Sequence, residues 1–386
     1  MRRRGAALVA AVVALTAALA STASASPSLR IGIFDDGLVL YGEPDLVFRQ
    51  LERTGTQLVR VNLWWGGPSI RVAARRPRRP ADPSDPAYNW DTYDRTVRFA
   101  TVNGIEPIFS IMGTPPWANA AKGWNVAPTN ARDLRLFAVA AQRRYSGTFE
   151  DADGTTLPRV TLWMAWNEPN NPVFLKPQFR RAAGGGWTIQ SGRDYAKICN
   201  AIVQGVKSVR RASKVACGVT GPRGNNNPSS GRPSVSPLAF LRAMKAAGAK
   251  GFDAYAHHPY PGSAAETPTT MPRQGSLGQA STAVTLGNFN TLVTELNRLY
   301  GRRTRVWITE YGYQTNPPDR LLGVTYSKQA AYLVQAAAYA RRHPQVDVFL
   351  WFLLRDEPRI GGWQSGLVTV NGKRKPSFNA FRRVVA

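Results

Sequence analysis

The sequence predicts an α/β protein built as a (β/α)8 TIM barrel. Two observations carry this. Short apolar runs alternate with amphipathic helical patterns eight times, and neither a linker nor a shift in composition divides the chain. Such alternation implies parallel strands joined by crossover helices, and eight units close a barrel. The competing arrangement is an open doubly wound sheet. It is disfavoured because no glycine-rich phosphate loop follows the first apolar run.

The elements follow in order. LRIGIF (29–34) is the first strand and ends in Asp35-Asp36-Gly37, two aspartates that fit turn or cap roles better than substrate contact. A helix over 44–53 opens on Pro44 and stops at Gly55. QLVRVNLWW (57–65) is the second strand. A buried arginine is costly unless paired, so Arg60 is expected to meet a carboxylate inside the fold. RVAARRPRRPADPSDPAYNW has no periodicity and reads as a loop arching over one face.

A helix over 91–102 leads to the strand EPIFSIMG (106–113), which ends near Trp117, and a helix over 131–145 follows. The fourth strand, RVTLWMAW (159–166), runs into Asn167-Glu168-Pro169-Asn170. A long helix over 192–211 sets Tyr195, Ile198, Ile202, Val206 and Val209 on one face. Next come KVACGV (214–219), a helix over 238–247, FDAYAHHPY (252–260) and a helix over 288–300. TRVWITE (304–310), a helix over 327–342 and VDVFLWFLL (346–354) complete the eight units. A short hairpin, GLVTVNGK, and a last helix over 376–384 close the chain.

The first 25 residues join three arginines, a short apolar run and Ala23-Ser24-Ala25, the build of a secretory signal peptide. The expectation is an exported, secreted protein whose residues 26–386 form a single catalytic barrel, with no stable membrane insertion after cleavage. Cys199 and Cys217 fit one disulfide in such a compartment, or a pair of buried thiols. The formal net charge of +26 favours anionic neighbours such as cell-wall polymers or acidic polysaccharide. Nucleic acid is not the expected partner, because no basic helix interleaved with aromatics occurs.

Barrel enzymes carry their chemistry at the C-terminal ends of strands. Asp253 and Asp347 begin strands and fall at the opposite end. Asp35, Asp36, Glu168, Glu310, Asp356 and Glu357 fall near the mouth, but only Glu168 and Glu310 directly terminate Trp-containing apolar strands. Asn167 offers an amide to a substrate hydroxyl, and a half-apolar wall would raise the Glu168 pKa into the range of a proton donor. His257 and His258 are adjacent near the end of a strand, so at most one faces the site. A zinc centre needs more ligands than the sequence offers there, and no metal or cofactor is expected.

The strings TLWMAWNEPN and ITEYG resemble the retaining glycoside hydrolases of clan A, which carry Asn-Glu after strand four and Glu after strand seven. The first string is most similar to family 39, and the second fits families 39 and 5 about equally. The resemblance implies that Glu168 is the general acid/base and Glu310 the nucleophile of a retaining hydrolase acting on a β-linked oligo- or polysaccharide. In VRVNLWW, Arg60 matches the clan's strand-two arginine, which orients the nucleophile. HPY resembles the clan's His-x-Tyr element, so His258 and Tyr260 are expected to bond the sugar or the nucleophile. Trp351 in FLWFLL resembles the tryptophan beneath the reacting sugar, and Trp117 is the next expected platform. A non-catalytic carbohydrate-binding barrel and a transglycosylase using the same pair are the alternatives.

Overall fold

Each strand of a closed parallel barrel is buried on both faces, which is why these segments are apolar at nearly every position. The computed structural model describes residues 26, 29–68, 70–273 and 281–386. The signal peptide expected over residues 1–25 lies outside the described residues. The strands are β1 (Arg30–Phe34), β2 (Leu58–Trp64), β3 (Glu106–Met112), β4 (Leu162–Ala165), β5 (Phe179–Arg181), β6 (Trp187–Ile189), β7 (Lys214–Thr220), β8 (Ala254–His257), β9 (Arg305–Tyr311) and β10 (Val346–Phe352). Among the described residues, eight of them close into a barrel in the order β1-β10-β9-β8-β7-β4-β3-β2, as predicted. The helices are α1 (Asp36–Tyr41), α2 (Pro44–Arg53), α3 (Asp91–Val102), α4 (Ala131–Arg144), α5 (Gln190–Val209), α6 (Pro237–Ala246), α7 (Phe289–Tyr300), α8 (Tyr326–Arg342) and α9 (Pro376–Val385).

Strand alternation sorts the core into two layers. Leu58, Ile108, Leu162, Met164, Trp307, Val348 and Leu350 form one buried cluster, filling the lumen. Their strand neighbours, among them Val59, Phe109, Trp163, Ile308 and Phe349, belong to the larger cluster beneath the helices. A disulfide joins Cys199 on α5 to Cys217 on β7 across a separation of 18 residues. In the chain-entropy account, closing a loop of that size stabilises a fold by about 3 kcal/mol.

The structure differs from the sequence reading at three places. Asp35 caps an additional short helix, α1, by accepting from the Leu38 amide at 3.1 Å. An antiparallel pair, β5 and β6, is inserted after β4. The expected hairpin near 366–373 is instead a turn held by isolated bridges of Val368 to Arg355 and Arg374. Among the described residues, no helix is long and apolar enough to cross a membrane.

Carboxylates at the N-terminal end of the barrel are saturated by cations. Asp253 lies 2.8 Å from Lys207 Nζ, Asp347 accepts from Arg305 Nε at 2.8 Å, and Glu106 pairs with Arg30.

Candidate active site

The site is built where regular strand geometry breaks down. In β2, Arg60 shares the inward parity of Leu58, so its guanidinium rises inside the barrel and is fully buried. It lies 4.1 Å above the Phe34 ring. Nη1 donates to Glu310 Oε1 at 2.7 Å and to the Thr309 carbonyl at 3.2 Å. Nη2 donates to Asn167 Oδ1 at 2.6 Å. The carboxylate expected for a buried arginine is therefore Glu310.

Simple alternation would send Thr309 and Glu310 to opposite faces. The register between β9 and β10 shifts between the pairs Phe349–Ile308 and Trp351–Tyr311, inserting one extra residue on β9. Such a bulge re-aims side chains, and here both residues reach the mouth. Glu310 Oε2 accepts from the Tyr260 hydroxyl at 3.1 Å. Thr309 Oγ1 lies 3.0 Å from His258 Nε2.

A different distortion aims Glu168. Trp166 has φ +71° and Glu168 φ +34°, both outside the usual range for residues with side chains. The turn sends the Trp166 indole outward, where Nε1 donates to the Phe174 carbonyl at 2.7 Å. It leaves Asn167 and Glu168 at the mouth. The Glu168 amide donates to the Val219 carbonyl at 2.8 Å, and Val219 itself lies at a register shift in β7 with φ +48°. Strain of this kind costs about 1–3 kcal/mol per residue and persists where surrounding contacts enforce it.

Asn170 supplies much of that enforcement. Its fully buried side chain donates to the carbonyls of Gly221, Arg223 and Val235 at 3.2, 3.3 and 3.0 Å, and accepts from the Gly221 amide at 2.8 Å. A Cβ at Gly221 would stand 2.9 Å from the Glu168 carboxyl carbon, so a larger residue there would displace that carboxyl.

His258 links the two carboxylates. Its Nδ1 lies 3.0 Å from Glu168 Oε1 and 3.5 Å from Glu310 Oε1, while Nε2 faces Arg60 Nη1 at 3.3 Å. Arginine can only donate, so Nε2 is an acceptor and Nδ1 carries the proton. Burial pushes the imidazole pKa down to about 3, consistent with the neutral ring that this network requires. His257, one residue earlier, points outward and is held by Thr220 Oγ1 at 2.8 Å and the Val284 carbonyl at 3.0 Å.

Burial also raises the Glu168 pKa above the ordinary glutamate value, opposed by the Asn171 amide and by the charges of Arg60 and Arg232. Asn171 Nδ2 donates to Glu168 Oε2 at 3.2 Å. Burial raises the Tyr260 phenol as well, so it stays a donor to Glu310. Donor atoms of Glu168, His258 and Glu310 lie within 4.8 Å of one another. A metal ion among them would meet the Arg60 guanidinium, which already neutralises Glu310, so the arrangement suits proton transfer and nucleophilic attack better than metal binding.

The structure thus brings together Arg60, Asn167, Glu168, His258, Tyr260 and Glu310. It separates the two expected aromatic platforms from them, and these require correction. Trp351 is fully buried in the outer layer, with Nε1 donating to the Ser365 carbonyl at 2.9 Å. Its neighbour Phe352 shares the inward parity of Leu350 and lines the cleft with Phe34 and Trp363. Trp117 packs edge-on against Trp65 at 5.5 Å, and its Nε1 donates to the Ala73 carbonyl at 3.0 Å, away from the cleft. Asp356, near the mouth in sequence, is buried against Lys375 Nζ at 2.7 Å and serves the fold. Sequence reasoning missed Asn62, Asn170, Asn171 and Thr309. The asparagine-rich string following Glu168 was the available signal for two of them.

A cleft of about 600 Å³ lies above Glu168 and Glu310, and a second of about 570 Å³ continues past Glu168 beneath the loop after β7.

Solved structures show the same fold. A family 39 glycoside hydrolase from Bacteroides cellulosilyticus WH2 is 20% identical, with a TM-score of 0.64 over 94% of this chain and 64% of that one. A glucosidase from Croceicoccus marinus is 15% identical, with a TM-score of 0.62 over 92% and 65%. A family 1 β-glucosidase from Thermotoga maritima is 13% identical, with a TM-score of 0.56 over 93% and 97%. The chain spans just under two thirds of the length of the first two proteins. No curated protein matches the sequence. A match to one sequence family covers residues 182–385, more than half of the chain, and the protein belongs to that family, the family of unknown function DUF5722.

Proposed function

We propose that the protein is a retaining glycoside hydrolase of clan A, most similar to family 39, acting on β-linked oligo- or polysaccharide. One observation carries the reading: two carboxylates on opposing strand ends approach within 4.8 Å, in environments that divide their roles. Glu310 is fixed by Arg60 and Tyr260 as a charged nucleophile, while burial favours the protonated form of Glu168. An approach of carboxylate oxygens within 4.8 Å supports retention, in which the carboxyl groups stand about 5–5.5 Å apart.

A Glu310 oxygen attacks the anomeric carbon. The bond from that carbon to the leaving oxygen breaks as Glu168 donates its proton to that oxygen, leaving a glycosyl ester on Glu310. Water then attacks the same carbon, Glu168 takes up the water proton, and Glu310 departs as carboxylate. Neutral His258 donates from Nδ1 to Glu168 without adding a charge between the carboxylates. Phe34, Phe352 and Trp363 offer apolar faces to the sugar ring, and Asn167 and Asn62 offer polar groups to its hydroxyls. The leader-like sequence over 1–25 supports secretion of the enzyme.

A screen of plant, fungal and bacterial glycans, with Glu310→Gln as blank, tests the activity. Reducing sugar released by the parent alone is expected, and its absence across the panel excludes hydrolysis. Early-time proton NMR then reads stereochemistry, and an inverted anomer rules out the double displacement.

A further inference from the structure

The two portions of the cleft differ in their charged linings. Asp35, Asp36 and Glu357 line the portion above Glu310 but not its continuation beyond Glu168, whereas Arg223 and Arg232 line both. Arg232 Nη2 donates to Asn171 Oδ1 at 3.2 Å, and Asn171 in turn donates to Glu168 Oε2. Arg232 therefore stands two hydrogen bonds from the proposed proton donor, on the side where a leaving oxygen must arrive. Arg223 extends from the anchored part of the same loop, with Nη1 donating to the Pro261 carbonyl at 3.3 Å and Nη2 lying 3.9 Å from Glu266. Among the described residues, Arg232 has no carboxylate within ion-pair reach. The other polar side chains lining the extension beyond Glu168 are Asn171, Asn225, Ser234, Ser281 and Thr282.

We propose that this arginine-lined extension is a subsite for an anionic leaving residue, so that the enzyme releases a neutral sugar from a partner sugar bearing a carboxylate or sulfate. The assignment rests on the glycosidase reading and supplies its substrate class. The carboxyl groups above Glu310 offer hydrogen bonds to sugar hydroxyls, while the guanidinium groups of the extension match the planar or tetrahedral oxygens of a uronate or sulfate. Charge would thus orient the substrate in a single direction across Glu168 and Glu310. An anion on Arg232 also neutralises one of the two cations that favour ionised Glu168, so binding promotes the acid form needed for the first step.

The experiment takes the neutral sugar released in the glycan screen and presents it on three leaving residues: a uronate, a sulfated sugar and the neutral parent. The expected kcat/KM is about tenfold or more higher on at least one anionic leaving residue, the scale of one charged hydrogen bond. Arg223→Ala with Arg232→Ala is expected to bring that ratio near unity, and Arg232→Lys to retain part of it. The ratio should also shrink as salt is raised, because Arg232 is exposed. Preference for uronate alone or sulfate alone identifies the group. Equal rates on all three, or a preference that survives both substitutions, overturns the subsite and leaves the glycosidase standing. If the screen yields no hydrolysis, calorimetry of uronate and sulfated disaccharides with Glu310→Gln reads the subsite separately. Binding that depends on Arg223 and Arg232 then supports it, and binding that ignores them removes it.

Discussion

The two ends of the barrel use the same residue types for opposite purposes. At the N-terminal end, Asp253 and Asp347 begin strands and meet lysine and arginine near solvent, a quarter or less exposed on the carboxylate side. At the C-terminal end, Glu168 and Glu310 terminate strands and meet a fully buried arginine, a neutral histidine and a tyrosine. Water and mobile cations blunt each charge at the first end. At the second, Arg60 holds Glu310 alone of the two acids, and burial raises the Glu168 pKa above the ordinary glutamate value. A carboxylate's function is thus set by which end of a strand it occupies and what is left unneutralised around it.

Substitution can break this contrast. Glu310→Gln keeps the shape and removes the proposed nucleophile, so kcat is expected to fall by about four orders of magnitude or more, read on the substrate found in the screen. Glu168→Gln should cost about 10²–10⁴-fold on leaving groups that need a proton and much less on activated aryl glycosides. The pH profile sharpens the point. The alkaline limb of kcat/KM is expected above the ordinary glutamate range, and Asn171→Ala, which removes a hydrogen bond to the charged form, should move it further up.

Stability separates the ends next. Arg60→Met strands Glu310 and Asn167 in the mouth and should destabilise by about 3–5 kcal/mol in denaturant unfolding. Asp347→Asn, at the opposite end, should cost about 1 kcal/mol or less and leave turnover unchanged. Asp36 gives a pH-dependent case. Burial raises its pKa from 3.8 to about 7, so the folded state binds its proton more tightly than the unfolded chain does. Its contribution to stability therefore falls as pH rises from 3.8 to about 7 and levels off above that. Asp36→Asn should be more stable than the parent at alkaline pH and lose that advantage in acid, read as the difference in Tm across the range.

The barrel order was legible because every unit announces itself by an apolar run and a helical pattern. Glu168, Glu310 and Arg60 were legible because a charge ending or interrupting such a run demands an explanation. Trp351 was misassigned for the complementary reason. FLWFLL is apolar at each position, so nothing in it fixes which residues face the lumen, and a one-residue error exchanges Trp351 for Phe352. The bulges in β7 and β9 and the left-handed turn at Trp166 were illegible, since tertiary contacts impose them on residues with no turn signature. The β5–β6 pair is too short and polar to register as strands, with Trp187 exposed on it.

Asn170 divides the loop after β7 into a base and a tip. The base, at Gly221, Arg223 and Val235, is bolted to the strand that carries Glu168. The tip, which holds Arg232, hangs beyond those fixings. Exchanging residues 225–234 for a segment of different charge would retool what the proposed enzyme accepts while leaving Glu168, its proposed proton donor, seated, making this loop a practical handle for directed changes of specificity.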